Sequence, residues 1–192
     1  MSKINVGIIG FGTVGAGTVE VLTKNREIIA SRVGAAVNIK KIADLDIESD
    51  RGVRVDRALL TTEAMDVIED TEISVVVELM GGLEKAKDYI MKAMERGKHV
   101  VTANKALIAK HGNEIFSAAQ KQGVMVAFEA AVAGGIPIIK AIREGLSGNR
   151  IQWLAGIING TGNFILTEMR DKGRDFDSVL AEAQRLGYAE AD

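Results

Sequence analysis

Glycines at positions 10, 12 and 15 follow directly on the apolar run Ile4-Asn5-Val6-Gly7-Ile8-Ile9 and make the pattern G-x-G-x-x-G. Each answers a different steric demand of a bound pyrophosphate. Gly10 allows the tight turn off a strand, Gly12 lets the backbone approach the phosphates, and Gly15 lets the next helix pack close to a sheet. The backbone N–H groups of Phe11, Thr13 and Val14, at the positive end of that helix, would complete an anion cradle. Asp44 ends the next apolar run, where a carboxylate can take the ribose 2′-hydroxyl of a dinucleotide and repel a 2′-phosphate. It lies farther along than the usual spacing of about 20 residues, so a plain turn cap is its other reading. Arg51, Arg54 or Arg57 could instead fold back on a 2′-phosphate, which leaves NAD and NADP both open.

Three further groups carry chemistry. Lys105, in Thr102-Ala103-Asn104-Lys105-Ala106, is a cation at a strand end. Half desolvated there, it would lose its proton more readily and suit proton transfer, whereas by residue type alone it fits a helix start at the surface. Glu129 precedes a run with no other side-chain oxygen. Its carboxylate and nearby carbonyls would suit a hard monovalent cation, and a cap on the next helix is the alternative. Asn159-Gly160-Thr161-Gly162-Asn163 offers amide and hydroxyl groups that can receive a carboxylate or merely cap a helix. His99 and His111 receive no role.

The elements that must position these groups can be read from periodicity. Strands are expected at 4–9, 37–43, 74–79, 98–102 and 124–129. Between them, helices are expected at 13–32, with Gly34 as a stop, at 63–69 capped by Thr62, at 84–96 and at 112–122. Residues 46–62 read as a polar, exposed connection. This alternation implies an α/β fold with a doubly wound parallel sheet, whose ligands bind beyond the carboxyl ends of the strands. Gly10–Gly15, Asp44, Gly81-Gly82, Asn104-Lys105 and Glu129 all fall at such ends. The character changes at Pro137, the only proline. A first domain over 1–136 and a second over 137–192 are therefore expected. The second would hold a helix at 138–146, a strand at 151–158 bearing the only tryptophan, and helices at 164–172 and 176–186.

Composition narrows the function classes. The chain has 192 residues, a net charge of −2 with interspersed signs, and therefore no nucleic-acid footprint. No apolar run approaches the ~18 residues of a membrane span, and the N-terminus lacks a leader pattern, so a cytoplasmic location is the default expectation. With no cysteine, disulfides, thiolate metal sites and cysteine nucleophiles are excluded. Two histidines far apart leave little material for a histidine-based zinc site or a Ser-His-Asp triad.

Five motifs in order resemble homoserine dehydrogenase: Gly10–Gly15, Thr102–Ala106, Glu129-Ala130-Ala131-Val132-Ala133-Gly134-Gly135-Ile136-Pro137, Gly156–Leu166, and Gly187-Tyr188-Ala189-Glu190-Ala191-Asp192. The resemblance implies a Rossmann-type domain followed by the start of an α+β substrate and dimerisation domain. It also implies interconversion of L-homoserine and L-aspartate 4-semialdehyde with NAD or NADP, on the route to threonine, methionine and isoleucine. It places Lys105 beside cofactor and substrate, Asn159, Gly160 and Thr161 on the substrate, and Glu190 on the substrate's ammonium. It implies a sodium ion held by Glu129 and the carbonyls of Val132, Gly134 and Ile136. It further implies a homodimer or higher homo-oligomer, and puts the main proton donor beyond Asp192. Two other readings stand beside it. One is a different Rossmann oxidoreductase of amino-acid metabolism, such as a semialdehyde dehydrogenase, against which the lack of cysteine argues. The other is a cofactor-binding and dimerisation module with little or no turnover.

Overall fold

The computed structural model describes residues 2–189. It divides into two compact units, Met1–Gly145 and Leu146–Asp192. The turn after Pro137 belongs to the first, so this division falls later than the change of character at that proline.

The first unit is built on six parallel strands: β1 (Lys3–Ile9), β2 (Ala36–Ala43), β3 (Leu60–Thr61), β4 (Val75–Glu78), β5 (His99–Thr102) and β6 (Val126–Ala127). Their order across the sheet is β3-β2-β1-β4-β5-β6, the doubly wound arrangement in which the direction of winding reverses beside β1. Ile9 pairs with both Ala43 and Glu78, and Glu78 with Thr102, so the carboxyl ends of the four central strands form one level edge. Apolar side chains fill both faces, as parallel strands require. On one face Val6, Ile8 and Ile42 pack with Phe11 and with Ala16 and Val19 of α1 (Thr13–Lys24). On the other, Ile9, Val76 and Val100 meet α3 (Ala64–Glu69), α4 (Glu84–Glu95) and α5 (Lys105–Gln122) through Ile68, Ile90, Met94, Leu107 and Ile115.

The structure departs from the periodicity in five places. The helix expected at 13–32 breaks at Asn25 into α1 and α2 (Arg26–Val33), and α2 buries no residue that would hold it in line with α1. Residues 60–61 leave the polar connection to pair with Ile42 and Ala43 as an edge strand, too short for any alternation to show. Helix α5 starts seven positions earlier than the expected 112, at Lys105, because Asn104 caps it through Leu107 N–H. Gly112 is a buried interior position of this helix, with Phe116 beside it. The strand expected at 151–158 is irregular, and the second unit holds no described strand for it to pair with. In place of the helix expected at 138–146 come the short turn α6 (Ile138–Lys140) and a π turn over Ala141–Gly145.

At the amino end of the sheet, Lys98 is 3% exposed. Its ammonium donates to the carbonyls of Asp70 and Ile73 at 2.6 and 2.7 Å, closing the loop that leads into β4. Desolvation, helped by Arg96 and opposed by Asp70, holds this ammonium below the usual lysine value of 10.5. Lys98→Met would strand both carbonyls and is expected to cost about 1–3 kcal/mol in urea unfolding. Because the unfolded chain binds the proton more tightly, the native protein should gain stability as pH rises toward 10.5, and the substitution should remove that slope.

The second unit pairs α7 (Gly160–Lys172) with α8 (Phe176–Arg185) around Ile165, Val179 and Ala183. Asn159 and Asp175 cap the two helices through Gly162 and Ser178 N–H, and Arg174 bridges Glu168 and Glu182.

Candidate functional site

The turn between β1 and α1 is shaped by its glycines. Gly10 sits at φ 103°, and a Cβ there would lie 2.5 Å from the carbonyl of Leu79. A Cβ on Gly15 would lie 2.1 Å from the Gly10 carbonyl oxygen, so the helix can approach the strand only without one. Gly12 differs from both: it has φ −67° and a Cβ there would meet nothing within 4 Å. Its demand for glycine does not come from the protein's own packing. No side chain caps α1, so the N–H groups of Thr13, Val14 and Gly15 have no partner within the helix. The Phe11 N–H, expected in the anion cradle, instead donates to Asp44 Oδ2 at 2.5 Å, while the Phe11 ring is buried. That N–H is therefore not free for a phosphate.

Asp44 is half-buried just beyond β2. Its other carboxylate oxygen accepts from Asp46 N–H at 2.9 Å, and its own N–H donates to Thr61 of the edge strand. The carboxylate thus braces the glycine turn against the β2 loop. Arg51 shares a hollow of about 420 Å³ with Gly12, Thr13, Gly17 and Glu20. Its guanidinium donates to the Asp46 carboxylate at 2.9 Å, and its buried Nε has no partner in the protein. Hydrogen bonds from Ser49, with a smaller contribution from Arg51, hold the Asp46 carboxyl below the usual range. Arg54 lines a different hollow with Arg26 and Asp56, and Arg57 pairs with Glu48 on the surface. Of the three candidate arginines, only Arg51 stands beside the glycine turn.

Across the reversal of winding, the ends of β4 and β5 hold a polar group within the apolar sheet. Glu78 and Thr102 are both fully buried. Glu78 Oε2 accepts from the Thr102 hydroxyl at 2.6 Å, and Oε1 from Met80 N–H at 3.0 Å. Thr102 Oγ1 accepts from Asn104 N–H at 3.0 Å, and the Asn104 amide donates to the Gly82 carbonyl at 2.7 Å. Sequence reasoning gives Glu78 and Thr102 no part in the site, although an acid closing the run Val75-Val76-Val77 is a visible signal. Lys105 is the first residue of α5 and is exposed, not half desolvated as expected, because the helix start points it out from the strand edge. The helix dipole opposes a cation there, and no acid occupies the first turn to offset it.

Glu129 caps the α6 turn. Its two oxygens accept from Ile139 and Lys140 N–H, each at 2.9 Å. The Ile136 carbonyl accepts from Ile138 N–H, and Ala133, between Glu129 and Ile136, is held at φ 47°, which strains a residue other than glycine. Each of these oxygens keeps a second lone pair, so the all-oxygen set remains chemically suited to a hard cation. In the second unit, Gly160, Thr161 and Asn163 line a hollow of about 440 Å³ with Phe164 and Thr167. The side chain of Asn159 is engaged as the cap of α7, and the Thr161 hydroxyl donates to the Tyr188 carbonyl. Glu190 lies outside the described residues. His99 accepts from Met125 N–H through Nδ1, and His111 packs between Glu84 and Glu114, as befits structural residues.

Two family models match: the homoserine dehydrogenase NAD-binding domain over residues 10–129 and homoserine dehydrogenase over residues 137–192. A homoserine dehydrogenase of Pseudomonas aeruginosa is 61% identical over the whole of this chain, which spans 44% of that relative's length. The crystal structure of a homoserine dehydrogenase from Thiobacillus denitrificans superposes with a TM-score of 0.92 at 61% identity, covering all of this chain and 44% of that one. A hyperthermophilic archaeal homoserine dehydrogenase in complex with NADPH superposes at 0.82 with 27% identity, covering 99% of this chain and 63% of that one. With both halves matched and the glycine turn built as the pattern demands, the chain belongs to the homoserine dehydrogenase family.

Proposed function

We propose that this chain is the cofactor-binding part, with the beginning of the substrate-binding part, of an enzyme interconverting L-homoserine and L-aspartate 4-semialdehyde. One observation carries the reading. Gly12, open on its exposed side, and the uncapped N–H groups of α1 form an anion site at the same strand edge as Lys105. A nicotinamide bound along that edge exchanges hydride with C4 of the substrate. The N–H groups of Thr13 and Val14 hold the pyrophosphate. Lys105 polarises the C4 oxygen, and Asn104 orients it. Gly160, Thr161 and the Asn159 loop receive the substrate carboxylate, and Glu190 its ammonium. Glu129 with the carbonyls of Val132, Gly134 and Ile136 would hold a sodium ion, whose role would be to pin the strained turn rather than to react. Oxidation of L-homoserine followed at the reduced-nicotinamide absorbance tests the reading, with NAD and NADP in parallel. Turnover with either supports it, and its absence beside tight cofactor binding favours a cofactor-binding and dimerisation module.

Two side chains support a choice between the cofactor forms. Asp44 braces the glycine turn by accepting a backbone N–H at each oxygen, and Arg51, in the hollow beside that turn, has a buried Nε with no partner in the protein to offer an anion. We therefore assign the 2′-phosphate of NADP to Arg51. Arg51→Ala is expected to weaken NADPH at least about tenfold, the size of one charged hydrogen bond, and to leave NADH unchanged in calorimetry. Equal losses for both would show that Arg51 supports the glycine turn or a part common to both cofactors, and would withdraw the assignment.

The protein is proposed to act in the cytoplasm as a homo-oligomer. No described helix is long and apolar enough to cross a membrane. Residues 151–158 expose Trp153 at 79% and Ile158 at 84%, beside Leu154 and Ile157, an apolar stretch suited to contact with a second copy. Light scattering at tens of micromolar should give a mass above the monomer, and a clean monomer would refute this.

A further inference from the structure

Glu78 is an acidic side chain fully buried at the carboxyl end of a central strand. Among the described residues no lysine, arginine or histidine forms an ion pair with it. Burial of such a group is unfavourable, and an apolar residue of similar size would serve stability as well or better. What the carboxylate does that an apolar residue cannot is to accept at both oxygens. Met80 N–H can only donate, and it donates to Oε1. The Thr102 oxygen already receives Asn104 N–H, so its single proton goes to Oε2. The path continues through Asn104, whose amide holds the Gly82 carbonyl and whose oxygen caps α5 at Leu107 N–H. A continuous set of hydrogen bonds thus runs from the turn after β4 to the helix start that bears Lys105. The near end of this path is the Leu79–Met80 backbone, against which Gly10 packs.

We propose that Glu78 is a positioning residue for the nicotinamide end of the site, setting the Met80–Gly82 turn and the Asn104–Lys105 helix start in one fixed relation. This rests on the reading that a dinucleotide binds along the strand edge. Glutamine cannot replace the acid. Its NH₂ must face either Met80 N–H, donor against donor, or Thr102, whose hydroxyl proton then has no acceptor.

The experiment measures calorimetric affinities of NADPH and NADH, and of ADP-ribose with and without a 2′-phosphate, which lack the nicotinamide. They are compared in wild type, Glu78→Gln, Thr102→Val and Thr102→Ser. The inference expects both Glu78→Gln and Thr102→Val to weaken the whole dinucleotide about tenfold while ADP-ribose stays within about twofold. Thr102→Ser, which keeps the hydroxyl, should restore wild-type affinity. Amide exchange should quicken at Met80 and Asn104 in Glu78→Gln while Val76 stays protected. If Glu78→Gln fails to fold, the valine and serine pair at 102 decides alone. Unchanged dinucleotide affinity, equal losses for both kinds of ligand, or a serine variant as weak as the valine one would overturn the inference and leave the cofactor reading intact. A folded wild type that binds no dinucleotide would overturn both.

Discussion

Gly12→Ala should fold as well as the wild type and bind dinucleotide at least a hundredfold more weakly. The fold tolerates the methyl because φ at this position is −67° and a Cβ meets no protein atom within 4 Å. A stability change within about 0.5 kcal/mol is therefore expected, as for an ordinary exposed site. Binding suffers because the methyl occupies the face through which the backbone must approach the pyrophosphate. Losing the phosphate contacts made by N–H groups at a helix N-terminus amounts to about 3 kcal/mol or more, which is two decades of affinity. Gly15→Ala should behave in the opposite way. Its Cβ would stand 2.1 Å from the Gly10 carbonyl oxygen, so strand and helix must separate, with an expected loss of about 3–5 kcal/mol in stability. Chemical denaturation and calorimetry on the two variants separate a glycine required by the fold from one required by the ligand. A Gly12→Ala variant that binds as tightly as wild type would refute the cradle.

Lys105→Ala should lower homoserine-dependent reduction of the nicotinamide by about 10²–10³-fold, the usual loss when one group stabilising charge on the reacting oxygen is removed. It should do so without loss of stability. Lys105 opens an 18-residue helix at the end where the dipole repels cations, and no acid in the first turn offsets this. Its removal is expected to stabilise the fold by up to about 1 kcal/mol. The opposite signs matter, because a lysine that served packing would lose activity and stability together. Turnover within threefold of wild type would remove Lys105 from the reaction.

Much of this architecture was legible in the residues. The strand–glycine–helix start, the alternation and the five motifs all lie within short segments, so local pattern was sufficient for them. Other features depended on partners distant in the chain. Leu60 and Thr61 become a strand only because Ile42 and Ala43 offer an open edge. Ile151 to Ile158 carries a strand's composition yet stays irregular, since β structure needs a neighbour that no local pattern supplies. The start of α5 at Lys105 shows only once Asn104 is seen to cap it through Leu107 N–H. At the site, Gly10, Gly12 and Gly15 were assigned by spacing, whereas the diversion of Phe11 N–H to Asp44 required the β2 loop in place. Glu78 was visible as an acid closing an apolar strand, but its purpose emerges only once Thr102 pairs beside it.

Calorimetric titration of the folded chain with NADPH and with NADH is the most direct test of the claim that the first unit is a dinucleotide site. Saturable binding at one site per chain, tighter for NADPH and abolished by Gly12→Ala, is the result predicted. A folded chain that takes up neither cofactor would contradict it.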